Sequence, residues 1–580
     1  MNRTLAWIVI VLLGLMPSAA PAALNITVDV SGVSGEELDN VMLLLSIEQQ
    51  KSYPELGEGR LRRLHAKAPQ EIEQALLPFG YYRVTVESEL DEADDGWRAS
   101  YHIDPGPPLP IGKLELLVNG EASEDPAFQQ LMDNAPLQVG DSLNHSVYEG
   151  LKRDLQRLAE ERGYFQATLT RHAVHVDLAA YEASVELELQ SGPRYRFGPV
   201  SISGDLLVDE ELVRRFIPFT EGEYYSAGKL MQLQDALGGS DYFSRIDIKA
   251  EREAAQGLQI PITLGLVMNM RTRYQYGLGY GTDTGARGSI GMERRYVNRK
   301  GHRFNAKLGV SEIKDTLSAN YIIPRKNPAT DRAIVRSEYS RDRTEDIDST
   351  ALLLGAGFEQ ARGRWHRSYF FNFQQEKFTI GTQSGDAQLL MPVLAWSRLS
   401  TNDVLNTVRG NRIMLQLRGA SEEVVSNTSM AQLHLSGKLI HSVGDGRFLL
   451  RSEVGTSWAP DFEKLPPSVR FFAGGDTSVR GYSYKSLGPQ DSEGNVIGGR
   501  HLFSASAEYE HRLGEKWSGA LFLDTGNAFA DADYEGGLEQ GAGVGLRRRL
   551  PIGWLRIDIA QAITHEDKPW RLHINLGPDL

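Results

Sequence analysis

Trp-Arg-Leu-His-Ile-Asn-Leu, residues 570–576 of a 580-residue chain, decides how the second half is read. Trp570, Leu572, Ile574 and Leu576 alternate with Arg571, His573 and Asn575, the period of a strand with one apolar and one polar face. The same period recurs upstream. Leu555, Ile557 and Ile559 alternate with Arg556 and Asp558. Ile413, Leu415 and Leu417 alternate with Arg412, Gln416 and Arg418, with Met414 as the exception. Phe503, Ala505, Ala507 and Tyr509 alternate with Ser504, Ser506, Glu508 and Glu510. These segments of about 8–11 residues follow one another without helices between them. Short turns such as Asn298-Arg299-Lys300-Gly301 and Val443-Gly444-Asp445-Gly446 alternate with longer polar stretches, Arg341–Ser349 and the region after Trp458. A soluble sandwich would share the two-faced strands. Their length and this rhythm of turns fit a membrane barrel better, because in lipid only a closed sheet satisfies every backbone group. About sixteen candidate strands lie between Arg273 and Leu576, an even number as bacterial barrels prefer. The expected fold is a membrane all-β barrel of about 16 antiparallel strands over residues 267–580.

Composition narrows the rest. The 58 glycines fit many turns, and the absence of cysteine excludes disulfide frameworks, thiolate metal sites, cysteine nucleophiles and lipid attachment at cysteine. A net charge of −14 with no basic domain argues against nucleic acid as a partner. There is no G-x-S-x-G, H-E-x-x-H or P-loop, and the 13 histidines lack metal spacing, so no enzyme, cofactor or metal site is expected. His434, His501 and His573 fall at polar-face positions of their strands, where solvated side chains are expected. The first residues carry Arg3, an apolar run from Leu5 to Met16, and Ala20-Pro21-Ala22. That is the layout of a signal peptide over 1–22, cleaved after Ala22, and the run is short for a membrane span.

Between the two lies a weak threefold repeat, expected as modules at 23–106, 107–192 and 193–266. Each copy opens on a short strand: NITVDV (25–30), KLELLVNG (113–120) and PVSISGD (199–205). A helical stretch follows, clearest at 146–164, where Leu151, Leu155 and Leu158 share one face. Each copy then turns into a strand through a paired aromatic, in PFGYYRVTV (78–86), RGYFQATLT (162–170) and SDYFSRIDI (240–248). Asp-Pro-Gly-Pro (104–107) and Ser-Gly-Pro (191–193) punctuate the copies.

One loop is too long for a simple hairpin. More than 40 residues separate the strands near 447–457 and 501–512, and loops beyond about 12–15 residues are usually functional or disordered. It contains Ser478, Val479, Arg480, Gly481 and Tyr482. An arginine set among small and aromatic residues suits a polar interior in which the guanidinium is paired to carboxylates. Strand parity offers Glu508 and, in LFLDTGNAF (521–529), Asp524, with Phe522 and Gly526 on the same lumenal face and Leu521 and Leu523 towards lipid.

SVRGY in a long loop, followed by FLDTG and GAGVGLR (541–547), with Asn402-Asp403-Val404 running to Arg409-Gly410, resembles the Omp85 superfamily. The upstream copies resemble its polypeptide-transport-associated (POTRA) domains. Three such modules, and the ending Asn575 to Leu580, are similar to the TamA branch. The resemblance implies insertion or secretion of outer-membrane proteins, autotransporters above all, by a monomeric barrel among outer-membrane lipids with its modules in the periplasm. It also implies an inner-membrane-anchored partner of the TamB type, and the first module is expected to meet it. Lateral opening is expected where the first strand meets the last. There Tyr276, Gly277, Gly279 and Gly281 face Ile574, Leu576 and Gly577, and glycine contributes no cross-strand side chain. A cysteine lock near Tyr276 and Ile574 would test that opening. A lipid conduit completed by TamB and a two-partner secretion pore are the alternatives.

Overall fold

The computed structural model describes residues 24–577 except 55, 94, 95, 402 and 552; Ala22, Asn402 and Pro578–Leu580 lie outside the described residues. The chain forms two compact units. One holds the residues up to Val200 with Phe219–Leu230 and Ala250–Ile262, and the other holds Ser201–Pro218, Met231–Lys249 and everything from Thr263 onward.

In the first unit β1 (Ile26–Ser31), β2 (Thr85–Ala93) and β3 (Gly96–Asp104) form a sheet in the order β1-β3-β2, with β1 parallel and β2 antiparallel to β3. Alternate residues Trp97, Ala99, Tyr101 and Ile103 are buried in one core with Leu61, Ala68, Ile72 and Leu76 of the helix Glu58–Leu76. The next sheet repeats the plan with β4 (Ile111–Asn119), β5 (Thr168–Asp177) and β6 (Glu182–Gln190) in the order β4-β6-β5. Val185, Leu187 and Leu189 pack with Leu151, Leu155 and Ala159 of the helix His145–Arg162. Asn144 caps that helix by accepting from the Ser146 and Val147 amides, and Gly163 in the left-handed region ends it. A third sheet has β7 (Arg196–Ser203), β8 (Phe243–Ala250) and β9 (Gln259–Met268) in the order β7-β9-β8.

The second unit is dominated by sixteen antiparallel strands in chain order. Four short ones come first: β10 (Thr272–Gly281), β11 (Gly285–Arg294), β12 (Arg303–Ser311) and β13 (Lys314–Pro324). Then come β14 (Asp331–Arg343), β15 (Ile347–Arg362), β16 (Trp365–Ile380) and β17 (Gln383–Ser400). β18 (Arg409–Ala420), β19 (Met430–Val443), β20 (Gly446–Trp458) and β21 (His501–Arg512) continue the wall. β22 (Trp517–Phe529), β23 (Glu539–Leu550), β24 (Gly553–Ala562) and β25 (Trp570–Gly577) finish it. The outward face is apolar, with Leu278, Leu521 and Leu523 exposed, while Phe522 and Asp524 point inward and are buried.

Two expectations change. Several strands exceed 8–11 residues: β15 and β16 have 16 each and β17 has 18. At about 3.3 Å per residue they outreach a hydrocarbon layer of about 30 Å even when tilted. Arg341–Ser349, read as a polar loop, is instead the end of β14, a turn at 344–346 and the start of β15. Beyond the lipid band both faces of a strand are wet, so polar composition no longer marks a loop.

Candidate functional site

The long loop (459–500) folds back over the wall and is tied to several strand ends. Lys485 Nζ lies 2.7 Å from Asp342 Oδ2. Asp346 accepts from the Val496 amide at 3.0 Å and Asp491 from the Thr382 amide at 2.9 Å. Arg470 donates to Gln383 Oε1 at 3.1 Å. Val479 is fully enclosed in an apolar cluster with Phe471, Ala473, Tyr482, Leu502 and Ala562. The Ser478 carbonyl accepts from Arg451 at 3.0 Å.

Arg480 is 4% exposed. Its Nε and Nη2 donate to the two oxygens of Asp524 on β22, at 2.7 and 3.0 Å, and its backbone amide adds a third bond at 3.0 Å. Nη1 reaches Glu508 on β21 at 2.8 Å and Asp558 on β24 at 3.1 Å. The guanidinium carbon lies 3.4 Å from the Phe522 ring centroid. Burial alone would weaken this cation, but the surrounding carboxylates hold its pKa above the ordinary arginine value.

A second arginine, unremarked in the sequence reading, completes the array. Arg547 on β23 donates to Glu508 at 2.7 Å, to Glu510 at 3.2 Å and to Asp558. Glu510 also accepts from Arg447. Shared carboxylates thus bridge the loop arginine to two wall arginines, the arrangement that makes buried charge tolerable.

The glycines of GAGVGLR explain how the loop gets so close. A Cβ on Gly541 would stand 1.9 Å from the Arg480 carbonyl oxygen, and one on Gly545 would stand 1.9 Å from Asp558 Oδ1. Gly541, Gly543, Gly545 and Arg547 share the inner face of β23, so a smooth trough receives the loop beside the cation. Gly481 has φ 99°, a left-handed conformation, and its amide donates to His573 Nε2 at 2.9 Å. Tyr482 donates to Glu539, and burial with that carboxylate pushes its hydroxyl up to about 12.

The seam is the other feature. The sixteen-stranded sheet ends on β10 and β25, and among the described residues no ladder joins them. Within the wall, by contrast, β15 and β16 pair without a break from Ile347↔Ile380 to Arg362↔Trp365. Leu576 and Gly577 pair with Leu555 and Trp554 of β24. The Ile574 amide donates to Thr282 Oγ1 at 3.2 Å, and a methyl placed on Gly281 would stand 3.7 Å from the Ile574 carbonyl. Ile574 therefore sits beside Gly281, roughly 16 Å along the strand from Tyr276, which points outward. Gly277 and Gly279 lie on the inner face beside Ser289 and Arg287.

His573 is 2% exposed rather than solvated, because the loop packs directly on it. His434 bonds Glu453 at 2.6 Å and His501 bonds Thr456 at 2.9 Å.

A model of the Omp85 superfamily domain matches residues 272–579, more than half of the chain. The chain belongs to the Omp85 superfamily. Models of the POTRA domain, TamA domain 1, and of the POTRA surface-antigen variable number repeat match 27–105 and 195–264. Its barrel is therefore an outer-membrane barrel, with POTRA modules in the periplasm. The outer membrane protein assembly factor BamA of Nitratidesulfovibrio vulgaris is 21% identical over 517 residues, covering 83% of this chain and 63% of its own length. The chain thus spans less than two thirds of that relative. The crystal structure of BamA from Haemophilus ducreyi lacking POTRA domains 1–3 superposes with a TM-score of 0.65 at 12% identity, covering 80% of this chain and 98% of the other. CdiB from Acinetobacter baumannii gives a TM-score of 0.47 at 14% identity, over 81% and 90%.

Proposed function

We propose that this Omp85 chain inserts or secretes other outer-membrane proteins, autotransporters among them, by parting at the seam between β10 and β25. The parted edges each carry a row of unpaired backbone groups, and a client strand adds to them by augmentation. The unladdered seam carries this reading. Two features support it. The strands nearest the seam on one side are short: β10 and β12 have 10 and 9 residues against 18 in β17, so the bilayer beside them is thinned by mismatch. The inner glycines of β10 offer little side-chain contact to hold a partner strand. The match of the first module to a TamA POTRA model supports an inner-membrane-anchored, TamB-like partner, docking on residues 25–105.

The test uses the absence of native cysteine. Gly281→Cys with Asn575→Cys places two thiols on the inner face of the seam, to be bridged by a short bis-maleimide. Bridged protein is expected to lose autotransporter display that the unbridged variant supports, and undiminished display after bridging excludes lateral opening. Outer-leaflet phospholipid is followed in parallel. A lipid defect with normal display would replace this reading by the conduit. Photo-crosslinking probes in 25–105 report the partner.

A further inference from the structure

Asp476, at the foot of the lumen loop, touches both sides of the seam. Its backbone amide donates to Asp283 Oδ2 at 2.6 Å, in the turn after β10. Its Oδ1 accepts from Thr282 Oγ1 at 3.2 Å, and that hydroxyl in turn accepts from the Ile574 amide on β25. The same carboxylate pairs with His573 Nδ1 on β25. His573 Nε2 accepts from the Gly481 amide, so the ring proton sits on Nδ1 and is donated to Asp476. Donor atoms of Asp283, Asp476 and His573 lie within 4.8 Å of one another, the spacing of a cation site. The tautomer argues otherwise: one ring nitrogen is an acceptor already used and the other is a donor, leaving no lone pair for a metal.

We propose that Asp476 is a clasp, a loop-borne side chain that bridges β10 to β25 where the ladder is missing, and that its release frees the seam to part. The inference rests on the lateral-opening reading and assigns the regulation of that opening to the loop. Asp476 and His573 are positioning residues: they hold the edges and touch no client. The consequence is that the loop reaches both edges of the seam through the Asp476 side chain, separately from the Arg480 array that anchors it to β21, β22 and β24.

The clasp is tested without any client. Nitroxide labels at Leu278→Cys and Leu572→Cys, both outward-facing, report the seam distance by pulsed electron resonance in liposomes. Asp476→Ala is expected to raise the long-distance population about tenfold or more, as loss of a hydrogen bond to a charged group does. Thr282→Val, which removes the bond to Asp476 and the one from the Ile574 amide but leaves the Asp476–His573 pair, is expected to move it in the same direction by less. Lys485→Ala loosens the loop at Asp342 without removing any bond of the clasp, and is expected to leave the seam distance unchanged. Addition of EDTA is expected to have no effect on the parent. Should Asp476→Ala prevent folding, Thr282→Val carries the test. An unchanged distance in Thr282→Val, or an equal response from Lys485→Ala, overturns the clasp. Widening by EDTA overturns it in favour of a cation bridge. If the distances respond as expected while bridging the seam leaves display intact, the clasp stands and the proposed function fails.

Discussion

Arg480→Ala removes four side-chain hydrogen bonds to carboxylates: two to Asp524, one to Glu508 and one to Asp558. Asp524 is 0% exposed and keeps only the amide of residue 480 from the loop backbone. Removing one partner of a buried ion pair costs about 3–5 kcal/mol, because the other charge stays buried and uncompensated. At about 1.4 kcal/mol per tenfold, the docked loop loses roughly a hundred- to a few thousandfold in population. The assay pairs the urea midpoint of the barrel in detergent micelles with tryptic cleavage at Lys485. The variant should show an earlier midpoint and rapid cleavage. Arg480→Lys should fall between it and the parent, since an ammonium keeps the charge but lacks the planar fork that engages both oxygens of Asp524. Arg480→Met combined with Asp524→Leu should recover much of the loss, because both buried charges leave together. A midpoint for Arg480→Ala within about 0.5 kcal/mol of the parent, with Lys485 still protected, would refute the reasoning.

Gly541→Ala sets a methyl 1.9 Å from the Arg480 carbonyl. It is expected to dislodge the loop with every charge intact, read by the same cleavage at Lys485. In the second module burial would raise Asp125, but the Ala127 amide and the Arg162 and Arg194 guanidiniums hold its carboxyl below the usual value. Its stabilisation is therefore present above about pH 4 and lost as pH falls through the lowered value. Asp125→Asn should cost about 2 kcal/mol at pH 7, and the gap should close in acid, measured by hydrogen exchange across the module. Burial pushes Asp283 up to about 6, outweighing the Asp476 amide and the Arg571 guanidinium that favour its ionisation, while the Asp476 carboxylate opposes it. The closed seam thus holds the proton more tightly than an open one. It should lose up to about a hundredfold of its preference as pH climbs from 4 through 6. Asp283→Asn should flatten that dependence in the spin-label distances.

The barrel was legible wherever one strand face meets lipid, as at Trp570–Leu576, because that contact forces apolar residues onto every second position. It was illegible at Arg341–Ser349, where both faces are wet. Parity pointed to Glu508 and Asp524 as facing inward, but it cannot say which of many inner residues meet one another. Asp558 was therefore noted only as one polar position among several, and Arg547 was passed over. A usable signal was present: glycines at 541, 543 and 545 vacate the same face that carries Arg547, which marks a trough for incoming backbone. The burial of His573 had no such sign in its own strand, since the loop that covers it lies about a hundred residues earlier.

The loop's ties to Asp342, Asp346 and Gln383 on one side, and to the wall acids on the other, stretch it across the bore. A pore that admits large unfolded cargo would ordinarily leak detergents and antibiotics into the cell. Under the lateral-opening proposal a β-strand would enter through the flank while the loop, lying across the axial route, would hinder small solutes.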